Sequence, residues 1–254
     1  MSGGGADRRQ GLPGDFTIFA HRGASGYEPE NTLRAFRRAL AMGARWLELD
    51  VFAIEDELVV IHDETLDRTT NGSGFVMEKS LAYLRSLDAG KGEKIPLLKE
   101  VLALLGPGDG INIELKGPAT AVPVADLIAA GRKCGRLDRD QLLVSSFNYL
   151  ELLAFKRMQP DVPIAPLVTS VPRGYARFAE EMGAFAVHAG INAASRRFIT
   201  DAHRRGLKFH VFIANTRKDL ERIRSRGADG AFTNYPDLLA GPPDFTLDVA
   251  PYLP

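Results

Sequence analysis

The chain has 254 residues, of which 45% are hydrophobic, and its 32 basic and 32 acidic side chains leave no formal net charge. That is enough apolar material for a self-sufficient globular core, and zero net charge argues against a nucleic-acid protein that relies on bulk basicity. The single cysteine, Cys134, excludes a disulfide framework and any multi-cysteine metal site.

In chain order, residues 1–15 are Gly-rich and polar without the apolar heart of a secretory signal, and they read as a flexible N-terminal segment. Residues 16–254 read as one domain. No apolar run approaches the ~20 residues of a membrane-spanning helix, so stable membrane insertion is not expected and a cytoplasmic, reducing setting is. Short runs rich in Val, Ile, Leu and Phe predict strands over 16–20, 46–51, 58–61, 111–115, 142–145, 164–168, 185–187, 208–213 and 230–232. Helices are predicted between most of them. Thr32 suits the cap of a helix with Leu33, Phe36 and Leu40 on one face, and Gly43 suits its end. Similar patterns mark 122–134, 149–158, 172–182, 195–204 and 217–226.

Repeated strand–helix units predict a parallel sheet with right-handed crossovers. About eight units in this length is the arithmetic of an α/β fold of the (β/α)8 barrel kind. Nine candidate strands are one too many, and the link from Val51 to Leu58 is too short for a helix. An irregular barrel is therefore expected, lacking a helix near its second and third strands. Residues 63–97 predict a loop with a short helix near 80–87.

Polar residues gather where the predicted strands end, which in a barrel is where active sites sit. The first strand runs into His21-Arg22-Gly23 and the second carries Glu48-Leu49-Asp50. The third runs into His62-Asp63 and the fourth carries Glu114-Leu115-Lys116. Residues two apart on a strand share a face, so Glu48 pairs with Asp50 and Glu114 with Lys116, while Leu47, Leu49, Ile113 and Leu115 pack outward. Three carboxylates in a barrel mouth repel one another and lose hydration. One hard divalent cation relieves both, with Mg2+ the first choice and Ca2+ the second. His21 and His62 suit proton transfer near neutral pH; Arg22 and Lys116 suit an anion. Three carboxylates, a dication and these two cations leave one positive charge over, which a phosphodiester would neutralise.

The same residues, in the segments AHRGASGYEPENTLRAF, WLELDV, VVIHDETLDRTTNGSG, INIELK and LLVSSF, resemble the glycerophosphodiester phosphodiesterase family in its compact bacterial cytosolic form. The resemblance implies an irregular (β/α)8 TIM barrel of the phospholipase-C-like phosphodiesterase kind. It further implies metal-dependent hydrolysis of a small glycerophosphodiester to sn-glycerol 3-phosphate and an alcohol. His21 and His62 match the acid–base pair, Glu48, Asp50 and Glu114 the metal ligands, and Arg22 and Lys116 the phosphate contacts. The family mechanism uses the substrate's own 2-hydroxyl as nucleophile and passes through a cyclic phosphate. Asp63, Glu30 and Asn31 read as supporting residues behind that site, and Phe212 and His188 as candidate pocket walls. His203 and His210 read as helix-surface and barrel-packing residues. Two departures stand out: Phe212-Ile213-Ala214-Asn215 lacks the family's Thr, and Thr233-Asn234 replaces its Thr-Asp. The alternatives are a lysophospholipase D-type phosphodiesterase and a non-catalytic phosphate-binding barrel. The first calls for an apolar ramp or membrane-facing loop, and no segment of the sequence supplies one; the second is disfavoured because every motif residue is present.

Overall fold

The computed structural model describes residues 16–238; the expected flexible segment over 1–15 lies outside them, as do residues 239–254 of the expected single domain. The chain begins with β1 (Thr17–His21), α1 (Leu33–Ala41), β2 (Trp46–Ile54) and β3 (Glu57–Val60). Two short helices follow, α2 (Leu81–Ser86) and α3 (Leu98–Leu102), and then β4 (Gly110–Leu115), α4 (Ala121–Lys133), β5 (Leu142–Ser146) and α5 (Tyr149–Met158). The remainder alternates strictly through β6 (Ile164–Val168), α6 (Arg177–Glu181), β7 (Ala186–Gly190), α7 (Arg196–Arg204), β8 (Lys208–Phe212), α8 (Arg217–Ser225) and β9 (Gly230–Thr233).

Strand β1 pairs in parallel with both β2 and β9, which closes eight parallel strands into the expected barrel. The ninth strand, β3, stands outside it. It pairs antiparallel with the end of β2, Ile54 opposite Glu57, so the two form a hairpin that rises from the barrel mouth and returns to it. This corrects the expectation of a missing helix between two barrel strands. The region between β2 and β4 instead holds the hairpin and two helices, one of which, α3, the sequence did not announce. The helix expected over 172–182 is also shorter, because Gly174 and Tyr175 take positive φ and hold the chain in a turn until α6 starts.

Side-chain alternation builds two cores. Outward residues of β2 and β4, including Leu47, Leu49, Ile113 and Leu115, are buried with Phe36 and Ala39 of α1 and with Val124 and Ile128 of α4. Inward, Phe19, Leu143, Ala165, Ala186 and Phe232 fill the barrel as a packed layer. Helix starts follow their caps: the side chains of Thr32, Ser80, Asn148, Ser195 and Thr216 each accept from an amide of the first turn.

Candidate active site

Strand register sets the heights of the charged groups. His21 lies level with Glu48, and one inward step further along, Asp50 lies level with Glu114. One oxygen from each of Glu48, Asp50 and Glu114 falls within 4.8 Å of the other two, and all three residues are buried. Burial raises the Glu48 pKa, and Asp50 and Glu114 raise it further. Burial, with Asp50 beside it, also lifts Glu114 to about 7 against the pull of Lys116. Three buried carboxylates repel one another, so the cluster takes up a proton or, since every donor is an oxygen, a hard dication. The residues present thus fit a divalent cation.

The two cations stand on this cluster. The Lys116 ammonium lies 2.9 Å from Glu114 and 3.6 Å from Asp50. Arg22 follows β1 in a left-handed conformation, φ 55°, which turns its amide onto Glu48 at 2.8 Å. Its guanidinium donates to Glu30 at 2.8 Å and brings Nε to 3.4 Å from Asp50, while Nε itself has no hydrogen-bond partner. Gly23 makes this turn possible. Its φ is 79°, and a Cβ there would meet the Ala35 backbone at 2.6 Å.

His62 reaches the mouth because β3 runs back toward it. The amide of Ile61 donates to the Asp50 carbonyl at 3.1 Å, and His62 follows directly. Its Nδ1 lies 2.5 Å from Asp63 Oδ1. Arg68 grips Asp63 through Nε and Nη2 and grips Glu30 through both Nη atoms, so one chain of ion pairs runs from His62 to Arg22. Hydrogen bonds from Arg68 and contact with Arg22 outweigh burial and bring Glu30 to about 2, and Arg68 likewise depresses Asp63. Asn31 donates to Asp50 at 2.9 Å. His21 is braced differently, its Nδ1 2.8 Å from the side-chain oxygen of Asn234. Burial, with Arg22 beside it, lowers its pKa to about 4.

His21, Arg22, Glu48, His62, Glu114 and Lys116 line one cavity of about 220 Å³, and Asn112, Phe147, His188 and Phe212 are among the residues that complete it. Asp50, Asp63, Glu30 and Asn31 stand behind this lining. His188 is fully buried; its Nε2 lies 3.2 Å from His210 Nδ1 and its own Nδ1 has no partner. Sequence reasoning missed Arg68, Asn112 and Phe147. It noted Asn234 only as a departure. Asn112 precedes Glu114 by two residues and shares its face, a signal the alternation carried. Arg68 and Asn234 come from other segments, and only the fold brings them to the site.

A sequence profile described as the Glycerophosphoryl diester phosphodiesterase family matches residues 21–238. A glycerophosphodiester phosphodiesterase of Caldanaerobacter subterraneus subsp. tengcongensis is 37% identical over 233 residues, 87% of this chain and 95% of that protein. Among solved structures, a phosphodiesterase of Oleispira antarctica, in complex with the product sn-glycerol-3-phosphate, superposes with a TM-score of 0.79 at 30% identity, covering 87% of this chain and 93% of that one. A glycerophosphoryl diester phosphodiesterase structure from Silicibacter pomeroyi superposes at 0.80 with 26% identity, covering 89% and 92%. With barrel, motif residues and matches all spanning the same length, the chain belongs to the glycerophosphoryl diester phosphodiesterase family.

Proposed function

We propose that this barrel hydrolyses glycerophosphodiesters to sn-glycerol 3-phosphate and an alcohol, as one catalytic unit with His21 and His62 as its acid–base pair. The observation that carries this reading is the meeting, in one cavity, of a three-carboxylate cluster, two cations and two imidazoles each braced at Nδ1. The activity named for the Caldanaerobacter relative and the product held by the Oleispira protein support it.

Glu48, Asp50 and Glu114 would hold the metal, with Mg2+ preferred and Ca2+ the alternative. When bound, it polarises a phosphoryl oxygen and offsets the charge that builds there. With the carboxylates so neutralised, Arg22 and Lys116 have positive charge to offer the single negative charge of a phosphodiester. Because Nδ1 of His21 faces an amide oxygen, its proton sits on Nδ1 and Nε2 is free to accept one. His21 is therefore the base that deprotonates the nucleophile, the glycerol 2-hydroxyl in our reading. His62 faces Asp63, so a proton carried on its Nε2 makes a cation beside a carboxylate, and that proton goes to the departing alkoxide. A non-catalytic phosphate-binding barrel has no use for two imidazoles held this way. No described helix is long and apolar enough to cross a membrane, and the exposed free thiol of Cys134 suits a reducing compartment. We accordingly place the reaction in the cytoplasm, on a small molecule rather than a nucleic acid.

The test is release of sn-glycerol 3-phosphate from glycerophosphocholine with added Mg2+ or Ca2+ and then with chelator. Turnover that chelation abolishes is expected. No turnover by the metal-loaded protein on choline, ethanolamine and glycerol diesters overturns the reading. A substrate without the 2-hydroxyl that is still cleaved removes the intramolecular nucleophile but leaves the hydrolase.

A further inference from the structure

Four buried side-chain atoms among the described residues have no hydrogen-bond partner: Arg22 Nε, Asn31 Oδ1, Asn112 Oδ1 and His188 Nδ1. Arg22 Nε lies 3.4 Å from Asp50 Oδ2, and Asn31 stands behind the cavity. Asn112 and His188 both line it. The metal, phosphate and proton-transfer roles assigned above use neither of them.

Both residues lie at the bottom of the cavity. The packed layer of Phe19, Leu143, Ala165, Ala186 and Phe232 fills the barrel beneath it. His21, Leu167 and His188 each stand two residues, one inward step, beyond Phe19, Ala165 and Ala186 on their own strands, so they form its floor. Asn112 lies opposite Glu48, as His21 does, and so shares the height of the base. Asn112 is 1% exposed and His188 0%. The rest of each side chain is engaged. Asn112 Nδ2 donates to Ser145 Oγ at 2.9 Å, which leaves Oδ1 as a bare acceptor. The His188 ring meets Phe232 edge to face with centroids 4.8 Å apart, and its Nε2 lies 3.2 Å from His210 Nδ1. His210 does not line this cavity, so Nδ1 is the His188 nitrogen open to a ligand there. Burial holds both rings uncharged. One proton bridges a neutral pair, and when His210 Nδ1 donates it, His188 keeps its own proton on Nδ1. The floor then offers one donor and one acceptor.

Buried polar atoms without partners are costly, and a ligand that pairs both recovers that cost. A hydroxyl can accept from His188 and donate to Asn112 at once. An ether or ester oxygen has no hydrogen for Asn112, and a methyl group serves neither. We infer that His188 Nδ1 and Asn112 Oδ1 together bind the terminal hydroxyl of the glycerol moiety, and so restrict the enzyme to diesters in which that hydroxyl is free. The inference rests on the phosphodiesterase reading, in which His21 on the same floor takes the proton of the neighbouring 2-hydroxyl. Holding the terminal hydroxyl fixes the adjoining carbon, which carries that nucleophile.

The metal-loaded full chain is assayed on glycerophosphocholine and on two analogues that keep the 2-hydroxyl. One is the propane-1,2-diol ester, with hydrogen in place of the terminal hydroxyl; the other carries that hydroxyl as its methyl ether. For both, kcat/KM should fall at least roughly 10²-fold, since a site built for a hydroxyl rejects a ligand that lacks one. His188→Phe keeps a ring against Phe232, and Asn112→Leu keeps the side-chain volume. Each should lower kcat/KM on glycerophosphocholine roughly 10–100-fold while the propanediol ester, with no hydroxyl to lose, is turned over as before. The two substrates thus converge, whereas damage to folding or metal binding lowers both alike and preserves their ratio. Wild-type turnover of the propanediol ester equal to that of glycerophosphocholine overturns the inference and leaves the phosphodiesterase reading standing. So does a ratio that either variant preserves. No turnover of glycerophosphocholine by the metal-loaded wild type overturns both.

Discussion

What faces Nδ1 separates the two imidazoles: a neutral amide on His21 and a carboxylate on His62. Either His→Ala substitution should cost roughly 10²–10⁴ in kcat. A nitrophenyl leaving group, which needs no proton, should restore most of the loss in His62→Ala and little in His21→Ala. Equal rescue in both would refute the assigned roles. Asn234→Ala frees the His21 ring to turn, so kcat should fall roughly tenfold with KM unchanged. Asn234→Asp is more informative. With its neutral partner His21 titrates at about 4, depressed by burial and Arg22, so the base stays unprotonated down to acid pH. A carboxylate opposite Nδ1 favours the charged ring and raises that pKa, which moves the acid limb of the kcat/KM profile to higher pH. An unmoved limb would show that the acid limb belongs to another group. The value of Asn234 is not readable along the chain, where it is only a changed letter just past the last strand. The carboxylates were readable, because Glu48, Asp50 and Glu114 alternate with buried leucines and isoleucines on their own strands.

At the scale of elements, the β2–β3 hairpin and the chain to Leu97 form a satellite beneath His62 with its own core of Leu66, Val76, Leu84 and Ile95. That core holds the Arg68–Asp63–His62 chain in place while sharing few side chains with the barrel interior. Leu84→Ala, at a fully buried site, should destabilise by roughly 2–5 kcal/mol. Amide exchange should quicken at Leu66 and Val76, whose bonds to Gly74 and Glu64 span this satellite, before it quickens in β5 to β8. Uniform quickening throughout would mean the satellite and barrel unfold as one unit. The hairpin is also where sequence reading stopped. A four-residue apolar run looks the same in a parallel barrel strand and an antiparallel arm. Its two-residue turn, Glu55-Asp56, reaches positive φ at Glu55 without the Asn-Gly or Asp-Gly signature. The barrel strands were legible to within a few residues because both faces are covered and each is a dense aliphatic run. Helix α3, five residues long, is set by packing on α1 and β3 rather than by periodicity.

Across the whole molecule, buried groups of opposite sign give the metal-free protein a stability that depends on pH in two directions. His210 and His21 are held at about 4 chiefly by burial, and His188 is depressed as well. The unfolded chain binds protons on these rings from about 6.5 downward while the native one does not, so they remove stability as pH falls from about 6.5 to 4. Glu114 acts the other way. Its carboxyl titrates at about 7 in the fold and near 4.5 unfolded, so the native state binds the extra proton between those values, and stability falls as pH rises through them. Glu48 is raised in the same direction. The Glu114 displacement alone corresponds to roughly 3 kcal/mol. Without metal, Tm should therefore peak between about pH 5 and 6.5 and decline toward pH 8. A dication on Glu48, Asp50 and Glu114 takes the place of that proton, and its binding weakens when the proton competes. Saturating Mg2+ should thus raise Tm by on the order of 10 °C at pH 8 and by clearly less at pH 6. Glu114→Gln removes the titrating carboxyl and one ligand together. That variant should lose the Glu114 share of the decline above pH 6.5, leaving a shallower one from Glu48, and most of the metal response, while keeping the acid-side fall that the histidines impose. Thermal scans of both proteins with chelator and with metal, from pH 5 to 8, separate the two effects. A metal-induced shift of equal size at pH 6 and pH 8 would mean the cation does not displace a proton from this cluster, and would move its binding elsewhere.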